Sequence, residues 1–364
     1  MTTWRIERYI LSKVLNALLI AFAVIAAVEM LVDFVAISRD VGARVDVTPL
    51  QVIALTLMQA PSVLLLLLPF VFLFGALYAY VGLNRRSELV AMRAAGISAW
   101  RFIAPAALAA FVIGLICTAA INPLASALNA RYGQMRATLM KDYLVVAPQE
   151  TWLRQGLGQE QVVIRAHSRD DSNGLVLMGV SVFFYKLDGR GAAQFDRRVE
   201  AGEARLVNRN WVMKNVSSVR PGGESEHSDT LIVPSPIRDP LGIQQATADS
   251  VSFWDLPGTI RRAEQAGLTA TSYRLSFEQL LAAPLLYAAM AILAAAFSLR
   301  LMRLGGLAGL AGAGVALGFT FFFFNAVCGA LGRADIVPTL IAAWTPPLIA
   351  LLSGLTLLCY AEDG

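Results

Sequence analysis

Histidine and cysteine are scarce in this chain, with two and three residues in 364. His167 and His227 have no neighbouring cysteine or histidine, so zinc-ligand spacing is missing. Cys117, Cys328 and Cys359 all fall in apolar runs and read as small buried hydrophobes, so the polar part of the chain carries no disulfide framework. No GxxxxGK[ST] phosphate loop occurs anywhere. The polar part offers no GxSxG and no cysteine nucleophile, and its acidic residues sit at strand edges and turns. No basic run with interleaved aromatics is present and the net charge of +4 is modest, which argues against nucleic acid as a partner. The expectation is a chain with no catalytic residues, no metal site and no cofactor of its own.

What the chain has instead is apolar length. It is 57% hydrophobic, with a mean hydropathy of +0.59, too apolar for a soluble domain of this size. Charge is unevenly spread: residues 122–275 hold 18 of the 30 Lys/Arg and 16 of the 26 Asp/Glu. A polar block is therefore inserted between two membrane blocks. Six runs are long enough to cross a bilayer: 14–35, 50–83, 102–121, 277–299, 306–331 and 337–360. The first is too long for a signal peptide and lacks a clean cleavage site, so it is expected to be retained. Pro61 and Pro69 are expected to kink the second run, and Asn122-Pro123 to end the third. Glu29 and Asp33, four apart near the far end of the first run, either sit wet among headgroups or face a cavity or partner helix. In the fifth run, Gly305/Gly309 and Gly314/Gly318 have the spacing that permits close helix approach.

Basic residues set the orientation. With the N-terminus inside, inner segments hold Arg5, Arg8, Lys13, Arg85, Arg86, Arg93, Arg101, Arg300 and Arg303, whereas short outer loops hold only Arg39, Arg44 and Arg333. Both termini are then cytoplasmic, and the polar block lies outside, in the periplasm of a Gram-negative cell. Residues 84–98 face the cytoplasm. This charged insert reads as one small amphipathic helix: Ser87 as N-cap, Glu88 in the first turn, an apolar stripe of Leu89, Met92 and Ala95, and Gly96 as the stop. It serves either as a docking peg for a motor or as a loop helix resting on the bilayer.

The polar block opens with a helical stretch, 122–150, carrying Arg131, Arg136 and Lys141. From Thr151 the period becomes two, with strand-like segments at 161–165, 176–187, 204–207 and 210–219. Turn signals separate them at 171–174, 188–191, 208–210 and 221–223. An antiparallel sandwich or open roll is expected at about 151–255, followed by a helix at 256–266. An exposed sheet edge would make it a binding module. The domains are thus 1–121 with the first three spans, 122–275 with the insert, and 276–364 with the last three.

Several short motifs carry a resemblance: Arg8-Tyr9-Ile10, Arg86-Ser87-Glu88-Leu89-Val90-Ala91-Met92 followed by Ala95-Gly96, Gln155-Gly156-Leu157, Tyr273-Arg274-Leu275 and Pro284-Leu285. On these residues the chain resembles the LptF/LptG (YjgP/YjgQ) family of lipopolysaccharide export permeases, and more its LptG side. The resemblance implies a polytopic α-helical membrane protein, six transmembrane helices in a 3+3 arrangement, with an inserted periplasmic all-β jellyroll-like domain. It implies an inner-membrane permease subunit of an ATP-binding-cassette transporter that extracts lipopolysaccharide and passes it to a periplasmic bridge. Implied partners are an LptF-like permease, two copies of an LptB-like ATPase that uses the ATP, and an LptC/LptA-like bridge. By the same resemblance, Arg86, Glu88, Leu89, Met92, Arg93 and Gly96 form the coupling helix, with Glu88 its acidic link to the ATPase. Spans one and five form a lateral gate. Arg39, Arg131 and Arg136 are the nearest positions to the family's phosphate-binding cations, although Asp33 and Asp40 stand where relatives carry lysines. Phe319 and Phe322 are candidates for the apolar cavity wall that a multi-chain lipid requires, since each CH₂ costs about 0.8 kcal/mol in water. A non-transport scaffold or envelope sensor is the main alternative. An ion-coupled transporter would want charges near the midplane.

Overall fold

The computed structural model describes residues 3–42, 47–140, 151–157, 160–170, 176–187, 193–235, 248–265, 269–301 and 307–363. Two compact units emerge. The first comprises residues 1–136, 248–254 and 271–364, and the second 137–247 and 255–270.

The first unit is helical: α1 (Thr3–Gly42), α2 (Pro49–Arg85), α3 (Glu88–Ala94), α4 (Ala99–Ile116) and α5 (Asn122–Leu139) precede the insert. Six of its helical segments are long and apolar enough to cross a membrane. α2 begins with a full capping box: Thr48 Oγ1 accepts from the Gln51 amide and Gln51 Oε1 accepts from the Thr48 amide at 2.9 Å. Pro61 and Pro69 lie inside this one helix, which is not broken at either.

Asn122-Pro123 does not end the third span. The chain passes from α4 to α5 through a π-helical turn, Cys117–Ile121, in which the Asn122 amide donates to the Cys117 carbonyl. The wide turn accommodates a proline that would otherwise clash with the preceding turn. Pro123 has no N–H for the Ala119 carbonyl, and Trp254 Nε1 donates to that oxygen at 2.9 Å. The Phe253 amide donates to Asn122 Oδ1 at 2.8 Å, and Ser126 Oγ donates to the Val251 carbonyl at 3.3 Å. The segment returning from the insert thus replaces the hydrogen bond that proline removes. Its absence from the third run's local sequence is why the helix end was expected there.

The second unit holds an antiparallel sheet: β1 (Thr151–Leu157), β2 (Glu160–Asp170), β3 (Val176–Leu187), β4 (Ala193–Val207), β5 (Asn210–Val219) and β6 (Glu226–Pro234). A helix, α6 (Leu256–Gln265), follows. The strands pair in chain order in one sheet, each with its sequence neighbour. One face is buried, and its core is made of sheet residues: Val162 and Ile164, Val182 and Phe184, Val199, Trp211, Met213 and Val233. A single sheet that covers its own face must curl, and its ends meet: Ser235 Oγ, next to β6, donates to Gln155 Oε1 of β1 at 3.1 Å. The expected inserted β-domain is therefore an up-and-down open roll across its described strands.

A crease crosses this roll. Ladder pairing skips one row, formed by His167, Gly179, Gly202, Asn215 and Asp229. Gly179 and Asn215 have φ of 60° and 53° there. On β3, β4 and β5 the buried phase shifts by one residue across the row: Leu177 then Val180, Ala201 then Ala204, Met213 then Val216. The register is kept across the row, and the change of phase re-aims the side chains beyond it.

After the insert come α7 (Thr271–Leu301), α8 (Leu307–Arg333) and α9 (Thr339–Asp363). α7 is the hub, packed on α2, α4, α8 and α9. In its most apolar window 67% of residues are buried, against 11% for α1 and 17% for α8. Small side chains make this possible: Ala289, Ala294, Ala295 and Ala296 are fully buried. Gly114 of α4 faces the α7 backbone so closely that an added Cβ would lie 2.6 Å from Pro284 Cα. α1 and α8, the first and fifth spans, keep broad apolar faces bare.

Candidate functional site: the α3 turn and the faces of α1 and α8

The charged stretch 84–98 holds a short helix between two turns. Asn84 and Arg85 complete α2, and the helix proper is Glu88–Ala94, seven residues. Ser87 occupies the N-cap position with φ 58° and makes no side-chain cap. Its left-handed backbone is set by the tight exit from α2, where the Ser87 amide donates to the Asn84 carbonyl at 2.9 Å. The serine therefore shapes the corner and does not cap it. The C-terminal stop is as the sequence implied. Gly96 has φ 82°, its amide donates to the Arg93 carbonyl at 2.9 Å, and the Ile97 amide donates to the Met92 carbonyl at 3.0 Å. Those two bonds are a Schellman motif, which needs a residue free to adopt positive φ at this position.

Leu89 seats the turn. It is fully buried in the main apolar cluster, with Met92 and Ile97 packed against that cluster. Ala95 of the expected stripe is exposed, and Ile97 takes its place. Arg86 and Val90 are exposed, while Glu88 and Arg93 are half-buried. The Tyr9 side chain of α1 lies near Glu88 and Arg86. Tyr9 is outside the expected site, although it belongs to one of the short motifs above.

The three candidate cations are differently placed. Arg39 and Arg131 are exposed. Arg136 of α5 is half-buried and forms an ion pair with Asp40 of α1. Tyr132, one turn earlier on α5, lies close to Arg136, Asp33 and Asp40. Asp40, noted in the sequence as a departure, is thus the partner of a candidate cation. Glu29 is buried beside Asp33 on the same face of α1. Lys141 lies outside the described residues.

On α8, Phe319 is 70% exposed and Phe322 45%. Phe322 also meets Phe70 of α2, centroids 5.8 Å apart, so it is part wall and part packing. Gly314 and Gly318 turn toward α2, where added Cβ atoms would meet Leu77 and Phe74 at 2.6 and 3.2 Å. Close approach is therefore real for this pair, while Gly305 lies outside the described residues. Among the described residues no three of His, Cys, Asp or Glu converge as a metal site.

Six apolar helices, a short seated turn between the second and third, and an antiparallel β-insert between the third and fourth define a polytopic membrane protein with an inserted β-domain. The pattern of the lipopolysaccharide export system permease family LptF/LptG matches residues 8–360, and the chain belongs to that family. It is 23% identical over 350 residues to the lipopolysaccharide export system permease protein LptG of Haemophilus influenzae, covering 94% of this chain and 95% of that one. It is 22% identical over 361 residues to the protein of the same name from Escherichia coli K12, covering 97% of each. Family membership supports a role in lipopolysaccharide export and fits a transport subunit in the inner membrane.

Proposed function

We propose that this chain is the permease subunit of an ATP-binding-cassette transporter that lifts lipopolysaccharide out of the inner membrane and passes it to a periplasmic bridge. The observation that carries the proposal is the α3 turn: a stiff, Schellman-terminated helix fixed to the membrane core by Leu89, with Val90 and Arg86 left exposed for a partner. Arg86, Glu88, Leu89, Met92, Arg93 and Gly96 form the contact on which a separate cytoplasmic ATPase, present in two copies, pushes. This chain binds no ATP itself. Counting crossings, the turn follows two spans and the insert, residues 122–275, follows three. The two then face opposite compartments, cytoplasm and periplasm.

The bare faces of α1 and α8 support a lateral gate shared with a second, LptF-like permease. Lipid enters there, its acyl chains against Phe319 and Phe322 and its phosphates near Arg39, Arg131 and Arg136. The Asp40–Arg136 pair makes the last cation available only when a phosphate displaces the carboxylate. The β-roll hands lipid to a bridge of the LptC/LptA kind.

Photoreactive residues placed at 39, 131 and 136 in the full chain test the lipid path in cells. Crosslinks to lipopolysaccharide at 131 are expected, and with Arg136 kept intact Asp40→Asn should strengthen them. Crosslinks at none of the three would overturn the phosphate assignment. Isolation of the chain without any nucleotide-binding subunit would favour a scaffold or envelope sensor instead.

A further inference from the structure

Residues 248–254 belong to the helical unit, although the chain on either side of them, 137–247 and 255–270, belongs to the second. They run along the junction of α4 and α5 as a strap. Trp254 Nε1 donates to the Ala119 carbonyl at 2.9 Å, and the Phe253 amide donates to Asn122 Oδ1 at 2.8 Å. Ser126 Oγ donates to the Val251 carbonyl at 3.3 Å, and Asn129 Nδ2 donates to Ser250 Oγ at 3.4 Å. The strap is antiparallel to the helix, and positions 119, 122, 126 and 129 recur at helical spacing, so it follows one stripe. The hub helix holds the same place from another side. Phe253 stacks on Phe277 of α7, centroids 5.4 Å apart, and Thr118 Oγ1 donates to the Leu280 carbonyl at 3.1 Å.

The strapped junction is where this long helix is weakest. A π-helical turn, Cys117–Ile121, and Pro123 fall together there, and these are the two features at which helices bend sharply. Ala119 lies in the apolar run 102–121, where a bilayer core offers no water to replace a lost partner. The stripe under the strap continues at the same spacing to Gly133, beside which there is open space, and to Arg136. Arg136 is paired with Asp40 of α1, and its Nε is buried with no acceptor among the described residues. At the helical rise it stands about 25 Å beyond Ala119, so a bend of about 10° at the junction would carry it about 4 Å sideways. That is farther than a hydrogen bond reaches.

We propose that Trp254 is a positioning residue for Arg136: by bonding the carbonyl that Pro123 leaves unpaired, it holds α5 at the one angle that sets Arg136 opposite Asp40. The strap is then part of the lipid path's machinery, far in sequence from the cation it serves. This role rests on the reading of Arg136 as a cation that meets the lipid's phosphates.

Two measurements on the full chain test it, with one repair built in. Trp254→Phe keeps a ring and removes the donor, whereas Pro123→Ala returns an N–H one turn beyond Ala119. In hydrogen–deuterium exchange on the purified chain in detergent, Trp254→Phe should speed exchange across residues 118–129 about fivefold, as loss of one hydrogen bond implies. Adding Pro123→Ala should bring exchange back to within about twofold of wild type. Unchanged exchange in Trp254→Phe would overturn the proposal. Faster exchange that Pro123→Ala does not repair would assign the effect to indole packing and overturn it too. In cells, with the photoreactive residue at 131 and equal chain abundance, Trp254→Phe should weaken crosslinks to lipopolysaccharide about fivefold, and the double change should restore them. Crosslinks that stay at the wild-type level while exchange quickens would overturn the positioning of Arg136. If the chain with Trp254 intact gives no crosslink at 131, the lipid reading fails, and exchange still decides whether Trp254 holds α5.

Discussion

Gly114 and Gly133 show how residue chemistry depends on what lies across from it. A methyl group at Gly114 would sit 2.6 Å from Pro284 Cα and 3.0 Å from the Tyr287 ring, which itself stacks on Phe72 at 4.9 Å. Backbone cannot yield there, so Gly114→Ala should destabilise by about 1–3 kcal/mol, as overpacking does. Gly133 on α5 meets nothing within 4 Å. Gly133→Ala should be neutral or stabilising by up to about 1 kcal/mol, through helix propensity alone. Thermal unfolding of both variants in detergent checks the pair. A second case concerns pH. Lys186 Nζ donates to Asp196 across β3 and β4 at 2.7 Å, and that hydrogen bond holds the Asp196 carboxyl below its usual value. A depressed folded value gives stability that is present above the unfolded aspartate pKa of about 3.9 and is lost as pH falls through the folded value. Asp196→Asn should remove that part of the acid sensitivity. The effect will be small because the lysine is largely exposed.

Among the elements, the six apolar helices were legible because length and composition alone define them, and α3 because its charges interrupt two apolar runs. Gly96 was legible as a stop because only a residue tolerant of positive φ closes a Schellman motif. The strands were harder. Period-two patterning found β3 and β5, the first half of β2 at 161–165 and only the last residues of β4, since the buried phase of β4 jumps from Ala201 to Ala204 at the crease. β6 was missed because its exposed residues, Glu226 to Thr230, carry no alternation. The continuity of α4 into α5 depends on Trp254, far away in sequence. Local patterns carry no such information. The crease makes a testable claim of its own. Asn215 holds φ 53°, a conformation that costs a β-branched residue about 1–2 kcal/mol. Asn215→Val should loosen β5 by that amount in hydrogen exchange, while Asn215→Gly should leave it close to wild type.

At the scale of the whole molecule, the account is mechanical. The chain supplies a hub helix, α7, two bare outer helices, α1 and α8, and a small seated turn at one end of the bundle. The proposed extraction of a multi-chain lipid needs work, which the proposed function assigns to a separate ATPase. On the proposed function, energy enters through the turn and leaves as lipid on the opposite side of the bilayer. The measurement that bears most directly on this is the compartment of each end. In a chain with Cys117, Cys328 and Cys359 replaced by alanine, single cysteines at Ala91 and Asp229 are exposed to a membrane-impermeant maleimide in cells with a permeabilised outer membrane. The account predicts that position 229 is labelled at once and position 91 only after the inner membrane is broken. Labelling of both positions in the same step would contradict it.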